Sequence, residues 1–163
     1  MLAQLGGAVR RARTNRARRC RMTTVTFLLG LCGSGKTHLA KELREATGAE
    51  IFEGVEHHKS LPAIVQHLRN GKDCIVEEIA YCDSHTREEI ITRLRSLVPE
   101  VQIECICFEN DLESANWNVV HRTNKGGVEG HLAINRSWHG VYKCPDGAKI
   151  RPITRICQSR PTA

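Results

Sequence analysis

Aromatic residues are scarce in this chain of 163 residues, at 4%. That argues against a single-strand nucleic-acid module, which needs exposed aromatic faces to stack bases. Long apolar runs are missing too. The most continuous one, residues 25 to 31, falls far short of the roughly 20 residues that span a bilayer, so no membrane segment is expected. The first 21 residues contain no acid but hold seven arginines: Arg10, Arg11, Arg13, Arg16, Arg18, Arg19 and Arg21. The remainder carries 17 basic and 18 acidic side chains, so the net charge of +6 belongs to the tail. Electrostatics permits nucleic acid as a partner of that tail; the near-neutral body does not point to it.

Eight cysteines could suggest a disulfide scaffold, yet no C-x-x-C pair exists and no spacing fits one. Cys74, Cys105 and Cys107 lie in apolar runs, where a free thiol behaves as a small hydrophobe. Reduced cysteines in a cytoplasmic protein are the expectation, and nothing local proposes a zinc site.

With 40% hydrophobic and 26% charged residues, the chain has the composition and length of one globular domain. Residues 1–21 read as a disordered Arg-rich extension, and residues 22–163 as the domain itself. Two alternatives stand for the extension. One is an organellar presequence, which the lack of serine weakens; the other is a basic arm for nucleic acid.

From residue 24 onward, apolar strands alternate with amphipathic helices. Strands are expected at Val25 to Leu29, Glu50 to Phe52, Cys74 to Val76 and Val101 to Phe108, with an extended run from Ile150 to Cys157. The first helix runs from Gly35 to Thr47, with Leu39, Leu43 and Ala46 on one face and Gly48 as its stop. A second, opened by Ser60 or a neighbour, carries Leu61, Ile64, Val65 and Leu68. A third is capped by Asp83 or Ser84 and ended by Pro99; a fourth is capped by Asp111 and runs to about Arg122. Residues 123–131 read as a mobile glycine loop, followed by a short helix around His131 to Trp138. Strands separated by such helices imply parallel β-α-β units, hence an α/β fold, a three-layer αβα sandwich.

Gly30-Leu-Cys32-Gly33-Ser34-Gly35-Lys36-Thr37 fits G-x-x-x-x-G-K-[ST] without a mismatch. A chance match in a chain of this size is on the order of one in a hundred or less. The required strand precedes the motif and the required helix follows it. Glycines let the backbone curl so that successive N–H groups converge on phosphates at a helix N-terminus. Lys36 then reaches the β- and γ-phosphates of ATP, and the Thr37 hydroxyl is a ligand for Mg²⁺. A structural glycine turn would explain neither Lys36 nor Thr37.

At these residues the chain resembles the P-loop kinases, in particular the small polynucleotide-kinase-like and nucleoside-monophosphate-kinase-like branch. The resemblance covers roughly Thr24 to Arg122 and implies a five-stranded, mainly parallel sheet in order 2-3-1-4-5. It also implies an acid at the end of the strand beside the motif strand. Cys74-Ile75-Val76-Glu77-Glu78 fits that place, although such kinases usually carry aspartate there. Strand alternation sends Glu77 and Glu78 to opposite faces. Glu77, first after the apolar run, is the preferred residue to order magnesium or to accept a proton from the attacking hydroxyl. A lid arginine is implied as well, and Arg122 fits it, sharing a helix face with Asn118 and preceding the Gly126-Gly127 pair. Arg87 is a weaker candidate for the acceptor side.

The acceptor is expected beyond the second strand, near Glu53, Gly54, His57 and His58. Trp117, Trp138 and Tyr142 read as packing residues. Together these features predict an ATP- and Mg²⁺-dependent kinase acting on an unidentified hydroxyl or phosphate. The alternative is a P-loop module that hydrolyses or senses ATP without an acceptor. No N-K-x-D guanine motif follows a strand: Asn124-Lys125-Gly126-Gly127 lacks the aspartate.

Overall fold

The computed structural model of the protein describes residues 22–53, 60–123 and 126–156. The Arg-rich extension and the His57-His58 pair lie outside the described residues. The order of elements is β1 (Thr24–Leu29), α1 (Lys36–Thr47), β2 (Glu50–Glu53), α2 (Leu61–Arg69), β3 (Cys74–Glu77), a 3₁₀ turn (Ile79–Cys82) and α3 (Ser84–Leu97). Then come β4 (Gln102–Phe108), α4 (Leu112–His121), α5 (Val128–His139) and β5 (Lys149–Arg151).

The five strands form one sheet in the order β2-β3-β1-β4-β5, and every neighbouring pair is parallel. Parallel neighbours need a crossover, and each crossover here contains at least one helix. β1 lies at the centre with Val25, Phe27, Leu28 and Leu29 fully buried, as a strand covered on both faces requires. Its register sets Val25 beside Cys74 on one side and Ile103 on the other. The order places the C-terminal end of β1 between the ends of β3 and β4. In open α/β sheets that edge is where ligands bind.

Local chemistry explains most of the boundaries. Gly48 ends α1 in the left-handed conformation, its N–H bonded to Arg44 O. Asp83 caps α3 through Thr86 N–H and Asp111 caps α4 through Ser114 N–H.

Three expectations need correction, and one element is new. The loop expected over 123–131 ends at Val128, because Gly127, at φ +68°, opens α5 three residues earlier than His131. The extended run from Ile150 reduces to a three-residue strand starting at Lys149, and residues 152–156 lie outside the sheet. Between β3 and α3 stands a 3₁₀ turn that no periodicity announces, held by Glu78 accepting Ala80 N–H. Trp117 is an exposed side chain stacked on His121 at 3.8 Å, whereas Tyr142 is buried and Trp138 packs against the core as expected.

The described cysteines, Cys32, Cys74, Cys82, Cys105, Cys107 and Cys144, are all free thiols. Among the described residues no helix is long and apolar enough to cross a membrane.

Candidate active site at the carboxyl edge of the sheet

The motif loop leaves β1 at Gly30 and enters α1 at Lys36. Two of its glycines are required by the backbone. Gly33 (φ +84°) and Gly35 (φ +105°) both occupy the left-handed region, and a Cβ on Gly33 would meet Ala115 O at 2.4 Å. Gly35 gives α1 no side-chain cap, so the first N–H groups of that helix are available to an anion. Lys36 is buried and folds back beneath the loop, its Nζ donating to Gly30 O at 2.7 Å and Leu31 O at 3.0 Å.

Thr37, in the first turn of α1, donates its hydroxyl to Glu77 Oε1 at 2.6 Å. The two carboxylates at the end of β3 divide as strand alternation requires, Glu77 entering the cleft and Glu78 capping the 3₁₀ turn. Burial pushes the Glu77 carboxyl above its usual pKa, opposed by the Thr37 hydrogen bond and by the charge of Lys36.

Opposite Glu77, Arg122 sits at the C-cap of α4 with extended backbone, its N–H on Asn118 O. The expected shared helix face is therefore incomplete: Asn118 is helical and Arg122 is not. Both still line the same cleft. The Arg122 guanidinium donates from Nη2 to Gly126 O at 2.6 Å. His131 Nδ1, 2.6 Å from Gly127 O, must carry its hydrogen there and so cannot also accept from Arg122 Nη2 at 3.2 Å.

The cleft has a volume of about 640 Å³. Its floor is the motif loop, and its walls include Glu77, Phe108, Asn118, Arg122, His131 and the stretch from Arg151 to Ile156. Asn118 ties that stretch to the loop, donating to Gly33 O and Thr154 O, both at 2.9 Å, and accepting Ile156 N–H at 2.7 Å.

Three buried side-chain polar atoms lack a partner among the described residues: Ser34 Oγ, Glu77 Oε2 and Arg122 Nε. All three residues line this one cleft. Burying a polar atom without a partner costs about 1–3 kcal/mol, so a cleft that collects three of them is built for a polar occupant. An acceptor, a hydroxyl and a donor in one place match the groups of a metal–triphosphate ligand.

Lys36, Thr37, Glu77 and Arg122, the residues the sequence nominates, all line this one cleft. Arg87 does not face the cleft. It is buried and its Nη1 donates to Tyr81 O at 2.7 Å, tying α3 to the 3₁₀ turn. The sequence pattern marks Asn118 only as a neighbour of Arg122 and gives no signal for Asn135, whose amide contacts Cys32. A polar residue in an amphipathic helix reads as solvent-facing unless its distant partner is known.

A mononuclear divalent site needs few protein ligands when phosphate and water supply the rest. Among the described residues no three His, Cys, Asp or Glu side chains group as a metal cage. The Thr37 hydroxyl beside one Glu77 carboxylate, with Oε2 unpartnered, is the donor set that Mg²⁺ with a nucleotide would use.

Solved structures share this architecture. A gluconokinase from Sinorhizobium meliloti 1021 aligns with 85% of this chain and 86% of its own, with a TM-score of 0.56 and 18% identity. A sugar kinase from Janibacter sp. HTCC2649 aligns with 80% of this chain and 84% of its own, with a TM-score of 0.52 and 14% identity. No protein-family model matches the chain, and no curated protein matches it in sequence. The likeness is one of fold: the chain has the fold of the P-loop kinases, with the strand order β2-β3-β1-β4-β5.

Proposed function

We propose that this chain is an ATP-dependent phosphotransferase that moves the γ-phosphoryl group to a hydroxyl or phosphate of a small molecule, nucleotide or nucleic-acid end. One observation carries the reading: the unpartnered Ser34 Oγ, Glu77 Oε2 and Arg122 Nε belong to residues that line one cleft over a complete G-x-x-x-x-G-K-T loop. That loop binds the donor phosphates through its amides and the N-terminus of α1. Lys36 exchanges the carbonyls of Gly30 and Leu31 for phosphate oxygens, a local side-chain movement. Arg122 stabilises the charge that spreads over the moving phosphoryl group. Glu77, with its raised affinity for protons, accepts the acceptor hydroxyl's hydrogen or orders the metal.

Thr37 and Glu77 are the residues that fit Mg²⁺, which when bound neutralises phosphate charge. The structural neighbours named as a gluconokinase and a sugar kinase make sugar hydroxyls the first class of acceptor to try.

The test is a transfer assay with γ-labelled ATP, Mg²⁺ and a panel of sugars, sugar nucleotides, nucleosides, nucleotides and oligonucleotide ends, with Lys36→Ala as control. Label moving to an acceptor with the native chain but not the control supports the kinase and names its substrate class. Label released only as phosphate supports the hydrolysing alternative. Binding without any movement of label overturns the kinase reading.

A further inference from the structure

The loop is held from outside its own sequence. Asn135 lies in α5, 103 residues from Cys32, and is fully buried. Its amide meets both polar groups of the Cys32 backbone: Oδ1 accepts Cys32 N–H at 2.7 Å and Nδ2 donates to Cys32 O at 2.9 Å. The other Nδ2 hydrogen goes to Asn116 Oδ1, in α4, at 2.9 Å. This arrangement fixes which way the amide faces, because a flipped amide would set its NH₂ against the Cys32 N–H. One turn earlier on α5, His131 lines the cleft beside Arg122. The same face of α5 therefore touches the loop and the arginine.

Packing alone does not call for an amide in a fully buried position, where every unmade hydrogen bond is costly. Peptide planarity supplies a reason. The Cys32 C=O and the Gly33 N–H belong to one trans peptide and point in opposite directions. By holding Cys32 O toward α5, Asn135 turns the Gly33 N–H the other way, and Gly33 is part of the cleft floor.

We propose that Asn135 is a positioning residue for donor binding: through Cys32, α5 aims the Gly33 amide at a phosphate oxygen before the nucleotide arrives. The inference rests on reading the cleft as a triphosphate site. An amide fixed in advance stabilises an anion without reorganising the loop at the moment of binding. Asn118 holds the next carbonyl, Gly33 O, but the N–H of that peptide, on Ser34, is donated to Leu31 O within the loop, so Gly33 is the amide this argument concerns.

The test measures calorimetric affinity for ATP and for inorganic tripolyphosphate, which has no base, in the native chain and in Asn135→Asp and Asn135→Leu. Titrations are run where each variant is folded by circular dichroism. Asn135→Asp keeps an acceptor for Cys32 N–H but sets oxygen against Cys32 O and Asn116 Oδ1. Both ligands are expected to lose roughly tenfold or more in affinity, by similar factors. A purely structural role would lower the melting temperature and leave the affinity of the folded variants unchanged, which overturns the proposal.

Amide exchange on the native chain gives a reading that needs no variant. Cys32 N–H is expected to be protected without ligand, and Gly33 N–H to become protected only with ATP. A Cys32 amide that exchanges as fast as an open loop overturns the proposal even where neither variant folds. Failure of the native chain to bind either ligand would overturn the triphosphate reading itself, and this inference with it.

Discussion

Thr37 Oγ1 donates to Glu77 Oε1 across 2.6 Å, joining the first turn of α1 to the end of β3 although 40 residues separate them. The contact uses one carboxylate oxygen and leaves the other buried without a partner. Stability has been given up here for a poised acceptor, as is common where a site must bind something else.

Replacing Glu77 exposes that cost. Its carboxyl pKa is raised mainly by burial, so the folded chain holds this proton more tightly than the unfolded chain does. The contribution of Glu77 to stability therefore falls as pH rises from the ordinary glutamate range through its folded value. Glu77→Gln is expected to melt above the native chain at pH 7 to 8. The difference should vanish by about pH 3, where the carboxyl is neutral in both states. Phosphoryl transfer is expected to drop about a hundredfold or more. Melting curves across pH check the first part, and a Glu77→Gln chain that melts lower at pH 7 contradicts it.

Arg122 offers a contrast. Its guanidinium spends one bond on Gly126 O in an exposed setting and leaves Nε unpartnered. Arg122→Ala should therefore change the melting temperature little and lower turnover about a hundredfold or more. Arg122→Lys keeps the charge but loses the planar pair of donors, so only partial recovery is expected. Steady-state kinetics on a confirmed acceptor decides it. A fall confined to KM, with turnover intact, would assign Arg122 to ground-state binding instead.

The motif loop was legible because phosphate geometry fixes its spacing, and Glu77 because it is the first charged residue after the continuous apolar run Cys74-Ile75-Val76. What lay beyond those signals depended on pairing that no local pattern records. β5 is three exposed residues, Lys149–Arg151, recognised as a strand only by lying beside Ile106 to Phe108. The start of α5 was hidden by Gly130, which reads as loop but sits inside the helix that Gly127 opens. Asn135 was invisible for the opposite reason: nothing near it in sequence requires it, and its partner Cys32 is 103 residues away.

Asp111 gives a prediction that depends on folding alone. It caps α4, the helix that carries Asn118 and ends at Arg122, by accepting Ser114 N–H at 3.0 Å. Hydrogen bonds from Ser114 hold its carboxyl below the usual range. A depressed carboxyl contributes stability above its unfolded pKa, near 3.9, and loses it as pH falls through the folded value. Asp111→Ala should cost about 1 kcal/mol at pH 7, and the gap should close in acid. Denaturant titrations at the two pH values test this; a gap that persists at the acid end would assign the loss to packing rather than to the cap.

Two glycines with nearly the same backbone separate strain from steric fit in the loop. Gly33 (φ +84°) and Gly48 (φ +74°) both occupy the left-handed region, but a Cβ on Gly48 meets nothing within 4 Å. On Gly33 it falls 2.4 Å from Ala115 O and 3.0 Å from Val119 Cγ2. Gly48→Ala should therefore cost only the left-handed penalty, about 1–2 kcal/mol, and leave ATP affinity unchanged. Gly33→Ala cannot be accommodated by rotating a side chain, because the nearest atom is a backbone oxygen of α4. The loop must move away from that helix, which displaces Gly33 O from Asn118 Nδ2 and disturbs the turn closed by Ser34 N–H on Leu31 O. The expected result is a larger loss of stability together with loss of ATP binding in the fraction that remains folded. Equal affinities for the two variants, measured under folded conditions, would mean that the close packing of the loop on α4 does not set the phosphate site.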